Sequence, residues 1–267
     1  MLNSLTLLRA MNGIHEEDVV MAGNSYFDEK QVKHFKTKRI VTFALAAVLI
    51  LAMSVTAYAA WKYLSARDVA YRLEDEKLTS AFIDQEIWTN SEIQSSGVYD
   101  FSLLGLVSGK EISDRLTTNN GEVLSDRTYV VVAISRTDGT PMPDTMSDEY
   151  GKVDFLVSPY VEGLDPAEFN IFSLGGGGYW AFVENGIQYR IVETENIEAF
   201  ADREVYIGVS EGTFLNRNAF IFHEDTGKIT RNEAYTGANA LFVLSIDPEK
   251  ADPEKANAIL ERIENRK

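Results

Sequence analysis

The chain has 267 residues, with 25 Lys/Arg against 41 Asp/Glu, a formal charge of −16, 45% apolar residues and no cysteine. This composition belongs to a folded protein and excludes a disulfide scaffold, a cysteine nucleophile and a thiolate metal site. The acidity argues against nucleic acid as a partner, because phosphate contacts need clustered Lys and Arg.

Residues 1–39 read as two short helices followed by a basic linker. Ser4 is placed to cap the first helix and Gly13 to end it. Glu16, Glu17 and Asp18 suit the first turn of the second, which Gly23 stops. Helices of about two turns are marginal alone in water, so their apolar side needs a cover. Leu5, Leu8, Met11, Ile14 and Val19 are the expected contact set for a cytoplasmic partner.

Ile40–Trp61 is a run of 22 residues without a charge. At about 1.5 Å per residue it spans roughly 33 Å as a helix, against about 30 Å of bilayer hydrocarbon. The partner it implies is the lipid bilayer. Tyr58, Trp61 and Tyr63 stand at its end, where interfacial aromatics belong. Lys30, Lys33, Lys36, Lys38 and Arg39 precede it, whereas Lys62 and Arg67 after it are mixed with acids, which places the N-terminus in the cytoplasm. Residues 1–61 hold 6 Lys/Arg and 5 Asp/Glu, leaving 19 and 36 for residues 62–267, so the acidity is expected outside the cell. Ala57-Tyr58-Ala59 also fits a signal-peptidase pattern, and cleavage after Ala59 would release a secreted protein. The 39 residues before the apolar run, and the length of the run itself, favour a retained single-pass anchor.

Residues 62–96 read as a juxtamembrane helical segment: Leu64, Val69, Leu73 and Leu78 recur at helical spacing, and one helix is expected from about Ser65 to Phe82. Residues 97–247 read as an extracellular β-rich domain. Strands are expected at 100–109, 127–139, 153–163, 204–212 and 219–230, and two or three more within 169–193, with turns at Gly175–Gly178 and Asn185-Gly186. The turn spacing suggests an α+β chain whose exterior is mainly antiparallel β, an immunoglobulin-like sandwich with insertions, flanked by helices. Tyr206 is a candidate for the corner tyrosine of such sandwiches. Residues 248–267 form a C-terminal helix, opened by Asp252 and Pro253.

No catalytic constellation emerges. His15, His34 and His223 are the only histidines, and there is no G-x-S-x-G elbow. Gly175–Gly178 lacks the Lys-Ser/Thr of a phosphate loop. Asp144, Asp148, Glu149 and Asp154 read as a solvated acidic loop rather than a calcium site. The expectation is a non-enzyme without cofactor or metal. Phe172, Tyr179 and Trp180, together with Phe169 and Phe182, form the aromatic set near the glycine run, and the first three are the candidates for extracellular recognition.

The segments LLRAMNGIHEEDVVMAG, DFSLLGLVSGK, RTYVVVAISRTDGTPMPD and FADREVYIGVSEGTF, placed around one span, carry a resemblance. The chain resembles single-pass membrane proteins of Gram-positive bacteria described as anti-sigma factors or as domains of unknown function. The resemblance implies a tail that holds a cytoplasmic sigma factor until the exterior domain meets an unknown extracellular ligand. The zinc-binding His/Cys signature of many anti-sigma domains is absent here.

Overall fold

A computed structural model describes residues 63–84, 92–115, 117–119, 122–175, 178–244 and 246–265. The tail contacts Leu5, Leu8, Met11, Ile14 and Val19 and the span 40–61 lie outside the described residues. Among the described residues no helix is long and apolar enough to cross a membrane.

The described chain is mainly antiparallel β with a few helices. One sheet of five strands runs β1 (Ile93–Ser96), β2 (Tyr99–Lys110), β5 (Asp126–Arg136), β8 (Ile187–Glu195), β7 (Tyr179–Glu184) across its width. A three-stranded sheet runs β12 (Asn239–Leu244), β9 (Val205–Glu211), β6 (Phe155–Val161). Two small hairpins, β3 (Thr117–Asn119) with β4 (Glu122–Leu124) and β10 (Phe220–Phe222) with β11 (Ile229–Arg231), complete the strands.

The two larger sheets stack face to face. Phe101, Val130, Val132, Ile134 and Val192 of one meet Phe155, Val157, Ile207, Val209 and Phe242 of the other in a single apolar core. Alternation along a strand sends every second side chain to the opposite face. The far face of the five-stranded sheet therefore carries Val107, Tyr129, Val131, Tyr189 and Ile191, covered by helices α1 (Ala66–Arg72) and α2 (Glu76–Asp84). Sandwiched between two layers, β5 is buried along nearly its whole length and β8 along all of it. The β10–β11 hairpin covers Tyr160 and Tyr206 on the outer face of the smaller sheet.

Three expectations change. The single helix over Ser65–Phe82 is two helices, broken at Glu74, whose φ is +56°. The cause is Asp75, buried beneath the break. Its carboxylate accepts from Leu78 N–H at 2.9 Å, Asp114 N–H at 3.0 Å and Ser113 Oγ–H at 2.5 Å, so it caps a new helix instead of continuing the old one. The Asp114 carboxylate in turn accepts from Glu76 N–H and Lys77 N–H. The stretch before the glycine run is not a strand. Asn170 accepts from Phe172 N–H and Ser173 N–H while the Ser173 hydroxyl accepts from Asn170 N–H, a capping box that opens a single helical turn, α3 (Ile171–Leu174). Tyr206 is not a corner tyrosine. Val205 and Ile207 take the inward positions on β9, so the Tyr206 ring lies on the outer face and its hydroxyl donates to Glu204 at 2.6 Å.

The last helix, α4 (Pro253–Glu264), starts where the sequence places it. Asp252 accepts from Lys255 N–H at 3.0 Å, and Ile259 and Ile263 enter the main core. Ion pairs link this region: Arg127 with Glu193 at 2.7 Å, fully buried, and the more exposed pairs Arg262 with Glu195 at 2.8 Å and Lys255 with Asp126.

The two edges of the stack differ, and the difference creates the site. At one edge β1 and β12 are stitched by Gln94, whose side-chain amide donates to Leu241 C=O at 2.8 Å and accepts from Leu241 N–H at 2.9 Å. At the other edge, between β7 and β6, the sheets part over a cleft that Arg190 of β8 spans at one end by donating to Phe155 C=O.

Candidate functional site

The cleft encloses about 580 Å³ between the edge strands β6 and β7, with Val157 and Val192 of the core as its floor. That volume lies within the range of small-molecule sites. Its polar end is an ion pair. Arg190 rises from β8 on the inner face, only 2% exposed, and bridges the two sheets. One terminal nitrogen donates to Phe155 C=O, and the other donates to Asp154 Oδ1 at 2.6 Å. The Arg190 Nε has no hydrogen-bond partner among the described residues.

Asp154 is held from several sides. Burial by itself raises its carboxyl, but Arg190, by hydrogen bond and charge, outweighs this. With Phe155 N–H and the Thr213 hydroxyl, it keeps Asp154 below the usual carboxylate range. The Asp154 carbonyl accepts from Gly212 N–H at 2.8 Å. Gly212 sits at φ +112°, a conformation that favours glycine, and it turns Thr213 and Phe214 toward the cleft.

The rim is aromatic. Phe172 is 53% exposed, Tyr179 49% and Phe214 76%. The Phe172 and Phe214 ring centroids are 6.4 Å apart with the planes 30° from parallel. The Tyr179 ring covers the Arg190 guanidinium at 4.2 Å, a cation–π geometry, and burial pushes its hydroxyl above the ordinary tyrosine range. On the opposite wall α3 is pinned by Ile171 N–H donating to the buried Ser158 hydroxyl at 3.0 Å, which buries Leu174 and leaves Phe172 facing out.

Of the three recognition candidates, the structure brings Phe172 and Tyr179 to this cleft and separates Trp180 from them. Tyr179 pairs with Val192 and Trp180 with Ile191, so the two neighbours take opposite faces. Trp180 packs on the helix side of the sheet under Arg115, 5.3 Å from its ring centre. Phe169 is core, against Phe200, and Phe182 stacks on Tyr189. The acidic set is dispersed: Glu149 pairs with Lys152, Asp144 caps Met146 N–H, and Asp154 belongs to Arg190. Among the described residues no three metal-ligating side chains converge. His223 lies on the outer hairpin beside Thr230, away from the cleft.

The sequence reading missed Arg190 and Phe214. The available signal was Arg190 itself, a cation within an expected strand that follows the glycine run and its aromatics. Comparison with family models, curated proteins and solved structures returns no match.

Proposed function

We propose that the chain is a membrane-anchored sensor or regulator of the anti-sigma type. Residues 40–61 cross the bilayer once, residues 1–39 lie in the cytoplasm and hold a partner through Leu5, Leu8, Met11, Ile14 and Val19, and the acidic domain faces outside. There it binds a ligand in the cleft between β6 and β7. The exterior domain is an immunoglobulin-like sandwich. Support for that comes from the strand order β2-β5-β8-β7 over β6-β9-β12, to which β1 adds a fifth strand beside β2, with chain crossovers between the sheets after β5, β6 and β8.

The observation that carries the ligand-binding reading is the cleft rim. Three aromatic rings, half-exposed or more, rim the cleft beside the Asp154–Arg190 pair and leave the apolar surface that recognition sites use. Signalling then requires that a ligand favour one of two states of the domain, because equal affinity for both shifts nothing.

Affinity capture from solubilised membranes tests the regulatory half. The full chain is expected to retain an RNA-polymerase sigma factor, and a chain lacking residues 1–30 to lose it. Recovery of none, or equal recovery with both, leaves a cell-surface binding module without a signalling role, a reading that the cleft supports equally.

A further inference from the structure

This inference rests on reading the cleft as a ligand site, and it concerns what chemistry fits there. Charge restricts the choice first. Arg190 and Asp154 already neutralise each other at 2.6 Å, so a ligand carboxylate would sit beside Asp154 and a ligand cation beside Arg190. A neutral molecule avoids both. The second restriction is a donor without an acceptor. Arg190 is 2% exposed and its Nε has no partner among the described residues, whereas a buried polar group is normally satisfied. The third is the rim, where Phe172 and Phe214 offer two tilted ring faces to solvent. Tyr179 lies over the guanidinium face at 4.2 Å and is half-exposed, which adds a third ring at the polar end of the cleft.

We propose that the cleft takes a neutral, ring-bearing small molecule whose carbonyl oxygen accepts a hydrogen bond from Arg190 Nε while its ring lies against Phe172 and Phe214. Asp154 acts as the counter-charge that rejects anionic analogues, and Thr213 lines the same polar end.

The test uses the full chain in lipid nanodiscs and benzophenone, a neutral two-ring ketone that inserts into C–H bonds under near-ultraviolet light. Adducts are mapped by peptide mass spectrometry and challenged with three competitors: 2-naphthamide, neutral with a carbonyl; naphthalene, without an acceptor; and 2-naphthoate, anionic. The expected result is saturable labelling within 154–157, 171–175, 178–192 and 213–214. 2-Naphthamide competes at least about tenfold better than the other two, in line with a hydrogen bond from a charged donor. Phe214→Ala, which removes a ring that is 76% exposed and so leaves the fold intact, lowers labelling at least about fivefold. Competition by naphthoate or naphthalene as good as that by naphthamide overturns the neutral-acceptor assignment while leaving the cleft a ligand site. Absence of saturable labelling in those segments overturns both.

Discussion

At the residue scale, the decisive contact is Asp154 with Arg190, side chains 15% and 3% exposed. Removing one member of a buried pair strands the other charge, so Asp154→Asn is expected to cost about 3–5 kcal/mol in chemical denaturation. Replacing both, Asp154→Leu with Arg190→Met, is expected to recover most of that loss, because two apolar groups leave no uncompensated charge. The sign of the pH dependence follows from the lowered Asp154 carboxyl. A depressed folded-state value gives stability that is fully present above the unfolded value of about 3.9 and is lost as pH falls through the folded value. The wild type is expected to lose stability below about pH 4 more steeply than Asp154→Asn, and parallel acid limbs would contradict this. The pair was hidden in the sequence for a physical reason. Arg190 lies in QYRIVE, whose alternation suggests a strand with one wet face, but β8 is buried on both faces and its partner is 36 positions away. Tyr179 and Phe172 were visible as aromatics near a glycine run. Trp180 stood beside them in sequence, but a strand separates neighbours onto opposite faces, and which face is the cleft depends on pairing that the local sequence does not contain.

At the element scale, local signals worked where the caps and turns are short-range. Asp252-Pro253 starts α4, and Asn185-Gly186, at φ +54° and +77°, joins β7 to β8 as a two-residue hairpin. Ser65 caps α1, accepting from Asp68 N–H at 3.1 Å. The signals failed where a distant residue intervened. Helical periodicity runs on through Leu73 and Leu78, but Ser113 and Asp114, nearly 40 positions away, fix Asp75 as a cap and split the helix. Asp75→Ala leaves buried donors without an acceptor, each worth about 1–3 kcal/mol, so a loss of at least about 2 kcal/mol is expected in a urea titration. Asp75→Asn, which keeps one acceptor oxygen, is expected to recover part of it. An unchanged midpoint for Asp75→Ala would show that the break between α1 and α2 has another cause. The strands β1 and β12 were also missed. Both are edge strands, short or interrupted by Asn and Gln, and Gln94 supplies with its side chain the link that backbone pairing does not.

At the scale of the whole molecule, the stack is asymmetric by construction. Helices shield one face of the larger sheet, a hairpin shields part of the smaller sheet, and Gln94 links the β1–β12 edge, which leaves the β6–β7 edge as the place where core side chains line an open cleft. The general class, antiparallel β with flanking helices, was legible from β-branched runs and turn residues. The layer order was not, because it depends on which strand crosses to which sheet. The proposal that this domain sits outside a membrane rests on the uncharged run 40–61 and the basic residues before it. The chain has no cysteine, so single-cysteine variants report accessibility without background. Met146→Cys, at a position 92% exposed, and Ser25→Cys, in the tail, are labelled with a membrane-impermeant maleimide in intact cells and again after lysis. The expected result is that Met146→Cys reacts in intact cells and stays with the membrane fraction, while Ser25→Cys reacts only after lysis. The opposite pattern, or a Met146→Cys chain recovered from the medium and beginning at Ala60, contradicts the anchored topology.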